Sequence, residues 1–377
     1  MSKKIKLLTI IETLGKGGAE RVLVNTLPKL QKLGIECEVA ILFNRDDLAM
    51  ELEEYGIKVH RLNLSYKWNI LEAIYKLSKL IRLKKYDILH AHLFFAYFYT
   101  GLSKIFSSPR IKRVVTFHNL GFDEYPANTF IKKIRKKLDC YILKRFDKKT
   151  AVSKAVKEHF QKHCNINDID IINNSFPLSS FNKYITMKDN NNISFFQEEE
   201  NSFTILTPGR FVEKKGHKYL IEAIKILNKK YNNFQFLFIG DGALKEKLEQ
   251  IIPNNVIIKS AIPHKDLMQL YNEVDIIVIP SVFEAFGLVV GEAMIMKKPI
   301  VATNVDGILE MITDKKEGLL VPPKNPQALA DAIEKLYLNK DLREKLSKNA
   351  IEKIKQFDTK IISQQWKNYY EDMMDEK

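Results

Sequence analysis

A chain of 377 residues is long enough for two domains with separate cores, and 45% apolar with 28% charged residues is the balance of a soluble globular protein. The formal net charge of +14 is lopsided: residues 1–180 hold 32 Lys/Arg against 18 Asp/Glu, and the remainder holds 28 of each, so the first half is expected to meet something acidic. The longest weakly polar run, 88–102, contains two histidines and falls short of the ~20 residues that a bilayer span needs. The opening M-S-K-K-I-K-L-L-T-I-I reads as a first strand rather than a signal peptide. Cys37, Cys140 and Cys164 lie far apart without a C-x-x-C, which predicts a reducing, cytoplasmic compartment and no metal site.

In chain order, apolar runs predict strands over 6–12, 36–43, 57–62, 87–92 and 112–118, with helical periodicity between most of them. That alternation predicts a doubly wound parallel sheet, whose ligands gather at the carboxyl ends of strands. The first such end, E-T-L-G-K-G-G-A-E-R, sets Gly15, Gly17 and Gly18 ahead of a helix over 19–32, where bare backbone lets a ligand come close. Glu20 stands where a dinucleotide fingerprint needs its third glycine, which argues against a dehydrogenase. His118 closes V-V-T-F-H-N at the same edge. A lone histidine serves structure more often than chemistry, and the strand-end position brings the two readings close to even.

Residues 130–149 carry nine basic and two acidic side chains, with Ile131, Ile134, Leu138, Tyr141/Ile142 and Phe146 at helical spacing. This predicts a basic amphipathic helix, either packed on the core with a solvated basic face or docked on an anionic membrane surface. A nucleic-acid partner is not expected, because no recognition module accompanies the charge. Strands at 149–152 and 169–172 flank a helix from Ser153. Asp168 and Asp170 spell D-x-D with no further ligands nearby, so no metal is expected.

The polar run 183–202 reads as a linker between a first domain over 1–182 and a second over 203–356. Strands resume at 203–207, 234–240, 256–259, 275–279, 299–303 and 318–321. Two similar halves predict two Rossmann-like α/β domains facing a cleft. The loop T-P-G-R-F-V-E-K-K-G offers Arg210 and Lys215. Either alone is ordinary surface charge, but a guanidinium fork with a nearby ammonium suits a diphosphate. I-G-D-G-A brings Gly240 and Gly242 to a neighbouring strand end, with Asp241 expected to cap the next helix.

The run P-S-V-F-E-A-F-G-L-V-V-G-E-A-M, residues 280–294, leaves a buried strand through a turn into a helix. It places Glu284 in the loop and Glu292 two turns into the helix. Amides at Phe286, Gly287 and Leu288 can hold phosphate or sugar oxygens, and the two carboxylates can accept from separate sets of hydroxyls. Two glutamates eight apart are common by themselves; the strand and Phe-Gly turn around them carry the signal. Residues 357–377 place Ile361, Ile362, Trp366, Tyr369 and Tyr370 on a helical pattern expected to pack back on the first domain.

In that order, G-G-A-E-R, T-F-H, A-V-S-K-A-V, P-G-R-x(4)-K-G, G-D-G-x-L, P-S-x-F-E-x-F-G-x(4)-E-A and P-I-V-A-T-N-V-D-G-I-L-E resemble the retaining, nucleotide-sugar-dependent glycosyltransferases of family four, with GT-B architecture. The resemblance covers essentially the whole chain, and E-x(7)-E in its strand–loop–helix setting is its most specific part. It implies hexosyl or N-acetylhexosaminyl transfer from a UDP- or GDP-linked sugar to a lipid-linked or polysaccharide acceptor, without cofactor or metal. The setting it implies is surface-polysaccharide synthesis, as of capsule or lipopolysaccharide, at the cytoplasmic membrane face.

By the same resemblance, Glu284 and the amides of Phe286–Leu288 hold the donor sugar and Glu292 holds the ribose. Arg210 and Lys215 bind the diphosphate, helped by Gly17 and Gly18, and His118 touches the sugar. The implied step is a same-face substitution in which the leaving phosphate takes the acceptor's proton. Asn174-Ser175-Phe176-Pro177 departs from the family's N-G-[IV]-D. Two alternatives stand beside this: a sucrose- or starch-type synthase of the same architecture, and a catalytically silent, membrane-associated partner subunit. The joint presence of Glu284, Arg210, Lys215 and His118 argues against the second.

Overall fold

The computed structural model describes residues 4–104, 108–124, 129–186, 195 and 202–376. The chain divides into two compact units, Met1–Phe176 with Phe357–Lys377, and Pro177–Gln356. The boundary expected after residue 182 falls inside a helix of the second unit, Leu178–Thr186. Most of the expected linker, 187–194 and 196–201, lies outside the described residues.

The first unit is built on seven strands: β1 (Lys6–Ile11), β2 (Glu36–Ile41), β3 (Lys58–Arg61), β4 (Ile88–His92), β5 (Lys112–Phe117), β6 (Lys148–Ala151) and β7 (Asp170–Ile171). All pair parallel, in the order β3-β2-β1-β4-β5-β6-β7. The second unit repeats the plan with six: β8 (Phe203–Pro208), β9 (Phe234–Ile239), β10 (Val256–Lys259), β11 (Ile276–Ile279), β12 (Ile300–Thr303) and β13 (Leu319–Val321), ordered β10-β9-β8-β11-β12-β13. Because crossover helices cover both faces of a parallel sheet, its strands must be apolar throughout rather than alternating. β8, β9, β11 and β12 are accordingly buried at every position. Phe234, Phe236 and Phe238 pack with Leu220, Ile224 and Leu227 of the helix His217–Leu227, each fully buried side chain contributing about 1.5–3 kcal/mol.

The terminal helix Thr359–Asp375 belongs to the first unit. Ile362, Trp366, Tyr370 and Met373 recur on one face and join the core formed with Leu23, Leu27 and Leu30 of the helix Gly18–Lys32. The two passes of chain meet where the sequence departs from the family pattern: Phe176 N donates to Phe357 O and Thr359 N to Phe176 O, both at 2.9 Å.

Three expectations need correction. The basic helix is Phe130–Leu143, and the chain after it turns into β6. Its apolar positions divide: Phe130, Ile134, Leu138 and Tyr141 are 77, 51, 43 and 62% exposed, while Ile142, Leu143 and Phe146 are buried. In the last turn Gly101 lets Ile142 approach so closely that a Cβ there would lie 2.5 Å from it. Second, Cys140 and Cys164 form a disulfide across a Cα–Cα distance of 5.0 Å, tying this helix to Lys154–Cys164 and removing the argument for a reducing compartment. Cys37 is free and buried, and burial pushes its thiol up to about 12. Third, Asp241 caps no helix: its carboxylate accepts from Ala261 N at 3.3 Å, and the following helix starts at Lys245. Among the described residues, no helix is long and apolar enough to cross a membrane.

Candidate active site

Each sheet reverses its strand order once, between β1 and β4 and between β8 and β11. Such switch points open a crevice at the carboxyl ends of the strands, where ligands bind. The residues singled out in the sequence fall at these two places.

In the second unit, β8 leads into Gly209, Arg210 and a short turn, Glu213–Lys215, while β11 leads into Pro280 and the Glu284 loop. Lys215 Nζ and Glu284 Oε2 are 2.6 Å apart, and both side chains are only 17% exposed. Ser281 Oγ donates to the same carboxylate oxygen at 3.4 Å. Two glycines permit this meeting. Gly216 has φ +70°, and a Cβ there would lie 1.9 Å from Pro280 O. A Cβ on Gly307 would lie 2.3 Å from Glu284 O. Arg210 is exposed in the same loop and makes no ion pair among the described residues.

Gly287, at φ +85°, opens the helix Leu288–Ile295, where Val290 N turns back to Gly287 O at 2.9 Å and the amide of Leu288 stands at the helix start. Glu292 sits one turn into that helix, not two. Its Oε1 is 3.1 Å from His264 Nε2, and its side chain is 16% exposed. Burial, and then the charge of Glu292, hold the Tyr271 phenol well above its usual range. His217, which sequence reasoning did not single out, is buried beside Phe211 and Phe238, and burial and then Lys215 lower its pKa to about 4.

In the first unit, β1, β4 and β5 are followed by Glu12, Leu93 and His118, and these line one cavity of about 570 Å³. Leu93 takes φ +69° with ψ 169°, a conformation nearly reserved for glycine, as it turns the chain into the helix Phe94–Ser103. Strain of this kind costs of order 1–3 kcal/mol and gathers at ligand sites. Glu12 Oε1 accepts from Phe95 N at 2.9 Å, and burial raises its pKa.

His118 Nε2 lies 2.8 Å from Nδ1 of His92, a buried residue missed in the sequence. Burial brings His118 to about 4 and holds His92 well below its usual value, so both rings are neutral at pH 7. His92 Nε2 has no partner among the described residues. A buried N–H without a partner costs more than an idle lone pair, so His92 places its proton on Nδ1 and donates to His118. His118 then carries its own proton on Nδ1, as a neutral hydrogen-bond donor.

His90, on the same sheet face two residues earlier, is held by Tyr370 OH at 2.7 Å and Thr116 Oγ1 at 2.6 Å. Its role is to join the sheet to the terminal helix. The glycine turn is partly occupied from within. The Glu20 carboxylate folds back so far that a Cβ on Gly17 would lie 2.2 Å from it. Asp168 and Asp170 are both engaged, by Lys149 Nζ at 2.8 Å and Tyr369 OH at 2.9 Å. Among the described residues, no cluster of three metal-ligating side chains exists.

Residues 16–179 match the family model described as Glycosyltransferase Family 4, and residues 189–353 match the model described as Glycosyl transferases group 1. An uncharacterised glycosyltransferase of Methanocaldococcus jannaschii is 30% identical over 311 residues, 80% of this chain and 80% of that protein. The capsular polysaccharide biosynthesis glycosyltransferase CapM of Staphylococcus aureus is 29% identical over 198 residues, 50% of this chain and 51% of CapM. Among solved structures, HepE of Anabaena in complex with UDP superimposes with a TM-score of 0.79 at 20% identity, over 98% of this chain and 100% of that one. The chain belongs to the glycosyltransferases of GT-B fold, with a family-4 first half and a group 1 second half.

Proposed function

We propose that the chain transfers a hexosyl or N-acetylhexosaminyl group, with retention, from a UDP- or GDP-linked sugar to a lipid-linked or polysaccharide acceptor in surface-polysaccharide synthesis. The observation that carries this is the Lys215–Glu284 pair beside the exposed Arg210 at the switch point of the second unit. Breaking a sugar–diphosphate bond builds negative charge on the leaving phosphate and positive charge on the anomeric carbon. Arg210 and Lys215 meet the first, and the Glu284 carboxylate with the amides of Phe286–Leu288 holds the sugar hydroxyls. Glu292, oriented by His264, takes the ribose hydroxyls. His118 donates Nδ1–H to a sugar oxygen.

The anomeric carbon–oxygen bond breaks toward the phosphate, the acceptor oxygen bonds on the same face, and its proton passes to the leaving phosphate oxygen. No step in this scheme uses a metal, so activity should survive exhaustive chelation; complete loss, restored by magnesium or manganese, would overturn that part. The reading as a whole is tested by release of free nucleoside diphosphate with and without crude lipid acceptor. It is abandoned if no UDP- or GDP-sugar is consumed.

The first unit supplies a second element of the reading, peripheral docking on the cytoplasmic membrane face. The stripe Phe130, Ile134, Leu138 and Tyr141 is exposed, and Lys132, Lys133 and Lys137 are exposed on the same helix. Each basic residue near an anionic surface is worth about 1 kcal/mol within a Debye length, and the apolar stripe adds insertion at the interface. The full chain should co-sediment with anionic vesicles at low salt. Replacing Lys133 and Lys137, which flank the stripe, with Gln should reduce the bound fraction about tenfold or more. Equal sedimentation with neutral vesicles, or none at low salt, would contradict the docking.

A further inference from the structure

His118 lines two cavities of the first unit. One is the large cavity of about 570 Å³, and the other is a small one of about 30 Å³ covered by Leu23, Leu27 and Trp366. The small cavity has room for a water molecule and is too small for a sugar or a phosphate. On its wall, Thr9 Oγ1 and His92 Nε2 have no hydrogen-bond partner among the described residues. Thr9 is 0% exposed and His92 3%. A polar atom buried this deeply without a partner carries its full desolvation penalty, so two of them facing one small cavity point to something that serves both.

Strand pairing brings these groups together. Thr9 of β1 pairs with His90 of β4, so both side chains leave the same face of the sheet, and His92 follows on that face. His92 pairs in turn with Thr116 of β5. The neighbouring polar groups are already committed. His90 uses Nδ1 on Tyr370 OH and Nε2 on Thr116 Oγ1, and Thr26 Oγ1 donates to Val22 O at 2.7 Å. A water in the cavity meets both remaining needs: it accepts from the Thr9 hydroxyl and donates to His92 Nε2, within the range of about 2–4 bonds that a buried water makes. A ring proton on Nε2 would instead add one more donor where the hydroxyl and the water already need acceptors. His92 therefore keeps its proton on Nδ1 and donates it to His118 Nε2, 2.8 Å away. His118 is left with its own proton on Nδ1.

We propose that Thr9, one buried water and His92 form a relay that holds His118 as a neutral Nδ1–H donor, which makes Thr9 and His92 positioning residues for the transfer. The relay rests on the transferase reading above only for the ligand that His118 meets. Without it the His118 proton is free to move to Nε2, and the ring then presents a lone pair where a sugar oxygen needs a donor.

The test is nitrogen NMR of the full chain with isotopically labelled histidine, which distinguishes a protonated ring nitrogen from a bare one. At neutral pH and without donor sugar, His92 and His118 should each show a protonated Nδ1 and a bare Nε2. Thr9→Val keeps the shape of the side chain, removes the hydroxyl, and should move the His92 Nε2 signal. His92→Leu should leave His118 exchanging between its two tautomers. His92→Asn, whose amide N–H stands near the lost Nδ1–H, should restore the original His118 signal, a distinction that a role in packing alone would not produce. With the UDP- or GDP-sugar that supports turnover, His92→Leu should lower kcat/KM about tenfold, the effect of one hydrogen bond, and His92→Asn should recover most of it. The relay is overturned if His118 carries its proton on Nε2, if Thr9→Val leaves the His92 signal unmoved, or if the Leu and Asn variants behave alike. The ring signals are read without donor, so a chain that consumes no nucleotide sugar removes the transferase reading and leaves the relay standing, and a wrong tautomer does the reverse.

Discussion

Lys215→Ala is expected to lower the turnover number by roughly 100-fold or more, the range for removing one preorganised donor at a developing oxyanion. The expectation is firmer here than for an isolated lysine, because Lys215 does two things. It offers its ammonium to the leaving phosphate, and it holds the Glu284 carboxylate at 2.6 Å in a position only 17% exposed. Its loss leaves Glu284, among the described residues, with Ser281 Oγ at 3.4 Å as its remaining side-chain partner, so the sugar-holding group loosens as the charge disappears. Arg210→Ala should fall as steeply for the first reason alone. Steady-state kinetics distinguish this from simple affinity. A raised Michaelis constant with unchanged turnover would mean that both cations bind ground state and transition state equally.

Gly216→Ala is expected to cut kcat/KM by about 100-fold, although no ligand-binding atom is removed. Two costs combine. The residue has φ +70°, which costs an L-residue roughly 1–2 kcal/mol. The new Cβ would also lie 1.9 Å from Pro280 O, so the two loops must separate. Those loops carry Lys215 and Glu284, and a displacement near 1 Å at a catalytic pair is enough for the loss. Gly34→Ala is the control: φ is +98°, with nothing within 4 Å of a Cβ. It should lower the melting temperature and leave activity intact. If Gly216→Ala matches Gly34→Ala in both stability and activity, the close approach does not matter.

The strands were legible because a parallel sheet demands continuous apolar, β-branched runs, and such runs stand out in any chain. The carboxyl ends of those strands were legible with them, so Arg210, Lys215 and Glu284 came with their loops; the strand order that makes two of those ends switch points was not. What escaped depends on approach in space. Cys140 and Cys164 are 24 positions apart, and only the helix–strand–helix return brings them together. The stripe Phe130, Ile134, Leu138 and Tyr141 has the spacing of a core-facing helix, and spacing does not say whether a core is there to receive it. His92 was visible only as an interruption of an apolar run; its significance comes from the strand beside it, which ends immediately before His118.

The most direct test of the central claim, that the second unit takes a nucleoside diphosphate sugar with Glu292 on the ribose and Glu284 on the sugar, is calorimetric titration of UDP and GDP into the full chain and its Glu292→Gln and Glu284→Gln variants. One diphosphate should bind the unmodified chain at a single site. Glu292→Gln should weaken it by about tenfold or more, the loss of one charged hydrogen bond, and Glu284→Gln should leave it unchanged. Absence of binding by either diphosphate, or equal loss in both variants, would contradict the account.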